Sequence, residues 1–286
     1  MGLYWEPCPG GARLLRLLGD TPCPAVPGTI EGLPVAELGP YCFADKPVRP
    51  GARRTGDDVH EITGNFVEEV TLPDTVRVLD SAAFYNCRRL RRVTLGPGVE
   101  GFGSDLFTNC RQLQTFRLRA AADAPTGLKK LLGAVSADIT VELDGAQLFY
   151  PEYSEFLDEN TPAHIFNHSI EGEGYRMRQC FTPGGAVDYA AFDASFAQAR
   201  VGESEDKLCR LALGRLVQPF GLGDDARADY ELYLTAHPEA AFRRAIDDRD
   251  EAALRLLVGL NLPTADAAVY CARDGWSAGA AVLLGR

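Results

Sequence analysis

Between Phe66 and Leu118 the chain reads FVEEVTLPDTVRVLDSAAFYNCRRLRRVTLGPGVEGFGSDLFTNCRQLQTFRL, and its apolar positions return at a fixed interval. A shift of 23 residues lays Val70 on Val93, Leu72 on Leu95, Val76 on Val99, Phe84 on Phe107, Asn86 on Asn109, Cys87 on Cys110 and Leu90 on Leu113. Fixed apolar positions at a period of about 20 to 29 residues predict a solenoid, because one coil cannot bury its own apolar side and must stack on its neighbours. Within each coil the two-residue alternation of a strand decides which side chains share a face. Val70, Leu72, Val93, Leu95, Phe116 and Leu118 are expected to point inward. Glu69, Thr71, Arg92, Thr94, Thr115 and Arg117 then line the opposite, concave face, continued by Thr140 and Glu142, as a mixed and partly cationic polar strip.

Upstream, VPGTIEGLPVAELGPYCFADK matches the later coils at an offset of 41, with Val35 on Val76, Leu38 on Leu79, Phe43 on Phe84 and Asp45 on Asn86, which predicts a first, divergent coil. Ala12 to Leu18 (ARLLRLL) is short and flanked by Gly, so it is expected to be an opening strand. Residues 47–60 are rich in Pro, Gly and charge without periodicity and are expected to form a surface loop between the first two coils. A longer final coil follows, with helical spacing from Gly127 to Val135 and strand alternation from Ile139 to Leu143. Residues 146–181 break the repeat, carry many aromatics, and are expected to cap the solenoid. Beyond Asp188 the pattern is helical: Phe192 to Arg200, Lys207 to Val217, Arg227 to Thr235, Glu239 to Ile246, Glu251 to Leu257, Ala265 to Arg273 and Ala278 to Leu284.

The phrase V-x-L-P-x-x-V-x-x-(L/F)-x-x-x-(A/L)-F-x-N-C-x-x-L, with the opening I-E-G-L-P-V, resembles the BspA-like class of leucine-rich repeats over residues 12–118. That resemblance implies coils with a short strand, a second extended segment and a helical turn carrying A-F-x-x-C, in bacterial or protist proteins of which many are surface adhesins. The segments AFRRAIDDRDEAALRLLVGL and AAVYCARDGWSAGAAVLLG are similar to degenerate ankyrin repeats, although their spacing is shorter and T-P-L-H is missing. The expected fold is therefore α+β: a short leucine-rich-repeat β solenoid over 1–145, an aromatic capping segment over 146–185, and an all-helical, ankyrin-like domain over 186–286.

Composition narrows the function. A net charge of −11 argues against general nucleic-acid or membrane binding, since both need cationic surface. The eight cysteines form no C-x-x-C pair, and Cys87 and Cys110 share one repeat position, so all are expected to be free thiols. The N-terminus lacks a cationic segment before its apolar run, so no signal peptide is expected, and the setting reads as cytoplasmic. This points away from an adhesin.

Candidate chemistry is sparse. His164 and His168 have the i, i+4 spacing of a helical metal pair, but Pro162 interrupts the segment and no H-E-x-x-H glutamate is present, so neither metal nor cofactor is expected. Glu152, Glu155, Asp158 and Glu159 read as a solvated helix face. The run from Gly221 to Ala226 imitates G-x-G-x-x-A but follows a helix, and Asp224 and Asp225 would repel a pyrophosphate. Arg88, Arg89, Arg91 and Arg92 surround Leu90, which is expected to be core while some of the arginines pair with the acidic C-terminal half. The expected function is protein recognition or scaffolding in a bacterial cytoplasm through the strip, with another protein as partner. The alternative is an enzyme or small-ligand binder whose junction site is built from Tyr150, Tyr153, His164, His168, Tyr175 and Arg178.

Overall fold

Strands form where the sequence alternates, and they stack where it repeats. The computed structural model describes residues 2–160 and 165–285. Met1–Asp144 with Phe181–Val187 make one compact unit, and Gly145–Cys180 with Asp188–Arg286 make a second. Of the segment expected as a cap, residues 146–180 fall in the second unit and 181–185 in the first.

In the first unit, strands numbered in chain order are β1 (Gly2–Cys8), β2 (Gly11–Leu18), β3 (Thr29–Ile30), β4 (Leu33–Leu38), β5 (Arg53–Thr55), β6 (Glu69–Thr71), β7 (Val78–Leu79), β8 (Arg92–Leu95), β9 (Gly101–Phe102), β10 (Thr115–Ala121) and β11 (Ile139–Asp144). One sheet runs β5-β1-β2-β4-β7-β9, with β3 on β4, and the other contains β6-β8-β10-β11. The repeat sets both registers. Val70 pairs with Val93, Val93 with Phe116 and Phe116 with Val141, all in parallel. On the other sheet Leu38 pairs with Leu79 and Leu79 with Phe102. The row Val70, Val93, Phe116 and Val141 is buried throughout; each such side chain contributes about 1.5–3 kcal/mol on leaving water.

The F-x-N-C phrase acquires a physical reading at the turns. Phe43, Phe84 and Phe107 form a stack, with ring centroids 5.2 and 5.3 Å apart and planes 3° and 13° from parallel. The thiol of Cys87 donates to the Phe43 carbonyl at 3.2 Å, and Cys110 donates to Phe84 at 3.0 Å, so each cysteine ties its coil to the one before. Asn86 and Asn109 adopt left-handed φ values of 62° and 63°, which Asn tolerates better than most residues, and Asn109 Nδ2 donates to Asn86 Oδ1 at 2.8 Å. A second left-handed position recurs at Tyr41, Ala82 and Asp105. Gly103 is required by proximity: a Cβ there would lie 2.2 Å from the Ser81 backbone nitrogen.

The opening of the chain corrects two expectations. Strand β2 is not the first; it is the second arm of an antiparallel hairpin with β1. Residues 53–55, expected to be loop, pair antiparallel with the outer edge of β1. Their sequence has no alternation, so the strand is induced by tertiary partners: Trp5 Nε1 donates to Thr55 Oγ1 at 3.2 Å, and the Arg53 guanidinium lies 5.0 Å from the Trp5 ring. Arg16, on β2, is buried, with Nη1 donating to Glu61 (2.5 Å) and Nη2 to the carbonyls of Tyr41 and Lys46. The unit closes through α1 (Leu128–Leu132) and β11, as the final-coil pattern requires.

The second unit begins with β12 (Ala146–Tyr150), the hairpin β13 (Ser154–Asn160) and β14 (Ile165–Glu171), and the short α2 (Gly174–Met177). Helices α3 (Tyr189–Ala194), α4 (Phe196–Gly202), α5 (Glu205–Val217), α6 (Asp224–Ala236), α7 (Pro238–Asp247), α8 (Glu251–Gly259), α9 (Ala265–Arg273) and α10 (Ser277–Leu283) follow. Their starts are encoded locally: Asp188 accepts from Ala191 N–H and Asp250 from Ala253 N–H, each at 3.0 Å, and Pro238 occupies the first turn of α7. The single helix expected from Phe192 to Arg200 divides at Ser195, whose Oγ donates to the Phe192 carbonyl at 2.5 Å. Leu208, Leu234, Phe242, Ile246, Leu254 and Cys271 form the buried seam between helices.

Candidate functional site

The polar face of the parallel sheet is built by strand register. Glu69, Arg92 and Thr115 form one row, and Thr71, Thr94 and Arg117 form the next, ending at Glu142. Each row steps about 4.8 Å per strand. Apart from Thr71, which is exposed, these side chains are half-buried. Thr140, expected to continue the strip, is buried, with 4% of its surface exposed.

The arginines of this face are paired within it. Arg92 reaches across β10 to Glu142 on β11, with Nη1 and Nη2 donating to the two carboxylate oxygens at 2.7 and 3.3 Å. Arg117 pairs with Asp144, and Arg119 binds Asp74 (Nη2 at 2.7 Å) together with the Leu72 carbonyl (2.5 Å). The expected partly cationic strip is therefore neutralised by acids of its own sheet, which sequence alternation alone could not assign as partners. Such half-exposed pairs are worth about 0–1 kcal/mol each, so their effect is orientation more than stability. The neighbouring basic cluster behaves similarly: Leu90 is buried, and Arg89 and Arg91 both pair with Glu68 of the preceding coil, where the C-terminal half was expected to supply partners.

Of the alternative site residues, Tyr150, Tyr153, Tyr175 and Arg178 come together in the second unit. The Arg178 guanidinium lies 5.0 Å from the Tyr153 ring and 5.8 Å from that of Tyr150, and Tyr153 and Tyr175 meet edge to face at 5.4 Å. Arg178 is buried, and its Nη1 donates to the carbonyls of Pro151 (2.5 Å) and Gly174 (3.0 Å), so this nitrogen holds backbone. Tyr150 is fully buried, its hydroxyl meets no protein hydrogen-bond partner, and burial pushes its pKa up. His168 sits on β14, not on a helix, with Nε2 3.3 Å from a Glu155 carboxylate oxygen. His164 lies outside the described residues. Among the described residues no group of His, Cys, Asp and Glu could hold a metal ion. Glu155, Asp158 and Glu159, expected on a helix face, lie on strand β13, because pairing with β14 extends the segment, and Glu152 precedes it and pairs with Lys207 at 2.9 Å. The imitation dinucleotide loop leads into α6 from the turn after α5, not from a strand.

Sequence reasoning missed one cluster, because its members are far apart in the chain and each is an ordinary helix residue. Asp193 accepts from Arg215 Nε (2.7 Å) and Nη2 (2.9 Å) and from the Tyr230 hydroxyl (2.8 Å), all buried. Burial alone would lower the Arg215 pKa, but the hydrogen bonds and charge of Asp193 raise it. Tyr230 is raised by burial first and by Asp193 second. Beside this cluster a cavity of about 470 Å³ is lined by Ala194, Phe196, Ala197 and the acids Asp224, Asp225 and Asp229. A second cavity, about 430 Å³, lies between α7 and α9 against Phe242, Ile246, Ala267 and Tyr270.

Residues 62–124 match the BspA type Leucine rich repeat region (6 copies). Comparison with curated proteins finds no match. Among solved structures, the T. pallidum leucine rich repeat protein is 22% identical, covering 42% of this chain and 53% of that one, with a TM-score of 0.32. A leucine rich cell surface protein from Faecalibacterium prausnitzii is 19% identical, covering 50% of this chain and 41% of that one, with a TM-score of 0.30. The chain thus spans about half the length of the first and less of the second. No helix among the described residues is long and apolar enough to cross a membrane.

Proposed function

We propose that this chain is a repeat protein that binds another protein through the polar face of its parallel sheet, formed by Glu69, Thr71, Arg92, Thr94, Thr115 and Arg117. The observation that carries the reading is the in-register stacking of these side chains, held in place by Arg92–Glu142 and Arg117–Asp144. Stacked repeats expose extended surfaces of this kind, and arginine is among the residues most able to anchor an interface. No nucleic acid, membrane or cofactor is part of this reading. The helix pairs α7–α8 and α9–α10 are read as ankyrin-like, and the setting as a bacterial cytoplasm, in keeping with eight free cysteines.

The experiment uses two variants. Arg92→Glu with Arg117→Glu removes both arginines and sets like charges side by side. Arg92→Glu with Glu142→Arg restores the ion pair in reversed orientation. Loss of partner capture in both, with the second retaining wild-type stability, supports the reading. Capture undiminished in both would overturn it.

A further inference from the structure

The second unit presents a sheet edge whose only charges are acidic. Strands β13 and β14 pair antiparallel from Ser154↔Glu171 to Asn160↔Ile165, and among the described residues neither pairs with a third strand. A two-stranded hairpin is marginal in water, and edge strands are ordinarily protected by charged side chains (Lys above all), Pro, a bulge or a covering element. β13 contains neither Lys nor Pro, and its register runs without a bulge. Every second residue of an edge strand turns its N–H and C=O outward. Phe156 and Leu157, successive and so on opposite faces, are 45% and 68% exposed.

Charge selects the occupant. Residues 152–173 contain Glu152, Glu155, Asp158, Glu159, Glu171 and Glu173 and no Lys or Arg. A second copy of this hairpin would set carboxylates against carboxylates, and like charges on adjacent strands are destabilising. A cationic strand would instead meet opposite charges along its one neighbour, β13. We infer that the outer edge of β13 is a docking site for an extended, basic peptide segment that adds as a third strand, its apolar side chains covering Phe156 on one face and Leu157 on the other. In such strand addition main-chain hydrogen bonds supply affinity and the alternating side chains supply specificity. The site is separate from the parallel-sheet face, so either proposal can fail without the other.

The test is fluorescence anisotropy of the full chain with a labelled peptide of alternating lysine and valine. Three comparisons accompany it: alternating glutamate and valine, the lysine peptide with its central valine replaced by proline, and the lysine peptide in high salt. Saturable binding is expected, at least tenfold weaker for the proline-interrupted and glutamate peptides, for Leu157→Ser and for Glu155→Lys, and weakened by salt. Circular dichroism checks that both variants fold, and two different sites of change keep the outcome decisive if one does not. Equal binding of the proline-interrupted peptide would show charge attraction without strand pairing and overturn the inference. So would equal binding of the glutamate peptide, no binding of the lysine peptide, or a dimer in sedimentation that Leu157→Ser dissolves, which would make a second copy the occupant.

Discussion

Replacing Phe84 by alanine tests whether the coils stack as one ladder. Phe84 is fully buried and lies between Phe43 and Phe107, with ring centroids 5.2 and 5.3 Å away. Truncating a buried Phe to Ala costs about 3–5 kcal/mol from lost transfer energy and the cavity left behind. Two ring contacts, each worth about 0.5–1.5 kcal/mol beyond area, place this site toward the upper end of that range. Neighbouring coils bracket the cavity with rigid rings, which limits collapse. The chain has two tryptophans, Trp5 in the first unit and Trp276 in the second, so a Trp276→Phe background leaves Trp5 as a reporter of the solenoid unit alone. Urea denaturation followed by that fluorescence should show the loss as a lower midpoint at unchanged slope. A double-mutant cycle with Phe43→Ala should give a coupling of about 0.5–1.5 kcal/mol. A loss below about 1 kcal/mol together with zero coupling would refute the stacked register.

Further outcomes follow from burial and charge. Cys23 is exposed and should react first with a thiol reagent, whereas Cys42 and Cys209, pushed up to about 12 by burial, should stay unreactive until the chain unfolds. All eight thiols should then titrate without reductant, and a shortfall of two would reveal a disulfide. Asp193→Asn should cost about 3–5 kcal/mol by urea denaturation, since it leaves the Arg215 charge buried without its counter-ion; a loss below about 1 kcal/mol would contradict that account. Tyr150 has a raised pKa, so the folded chain keeps a proton that the unfolded chain releases above about pH 10. Its stabilising contribution is whole below that pH and is lost as pH rises further. Tyr150→Phe should therefore flatten the fall of stability above pH 10 by about 1.4 kcal/mol per pH unit, and an unchanged slope would exclude it as a contributor.

What recurs along the chain, or acts within a few residues, is legible in one dimension. The interval that lays Val70 on Val93 also predicts their pairing, because every coil solves the same burial problem with the same residues. Helices were legible for a similar reason: spacing and caps act within a few residues, and α9 matches its expected span from Ala265 to Arg273. Candidate face positions were legible too, since alternation places Arg92 and Arg117 opposite the buried rows. Their ion-pair partners were not. Arg92 meets Glu142 across a separation of 50 residues, and Asp193 meets Arg215 across 22, pairings that exist only once strands and helices are stacked in a particular order. Residues 53–55 became a strand only because β1 offered an open edge, and the β13 edge is visible only because no third strand covers it among the described residues. Periodic burial is a sum of repeated local energies and can be read along one dimension; the partner of a charge or a strand edge depends on what the finished fold brings within a few ångströms of it.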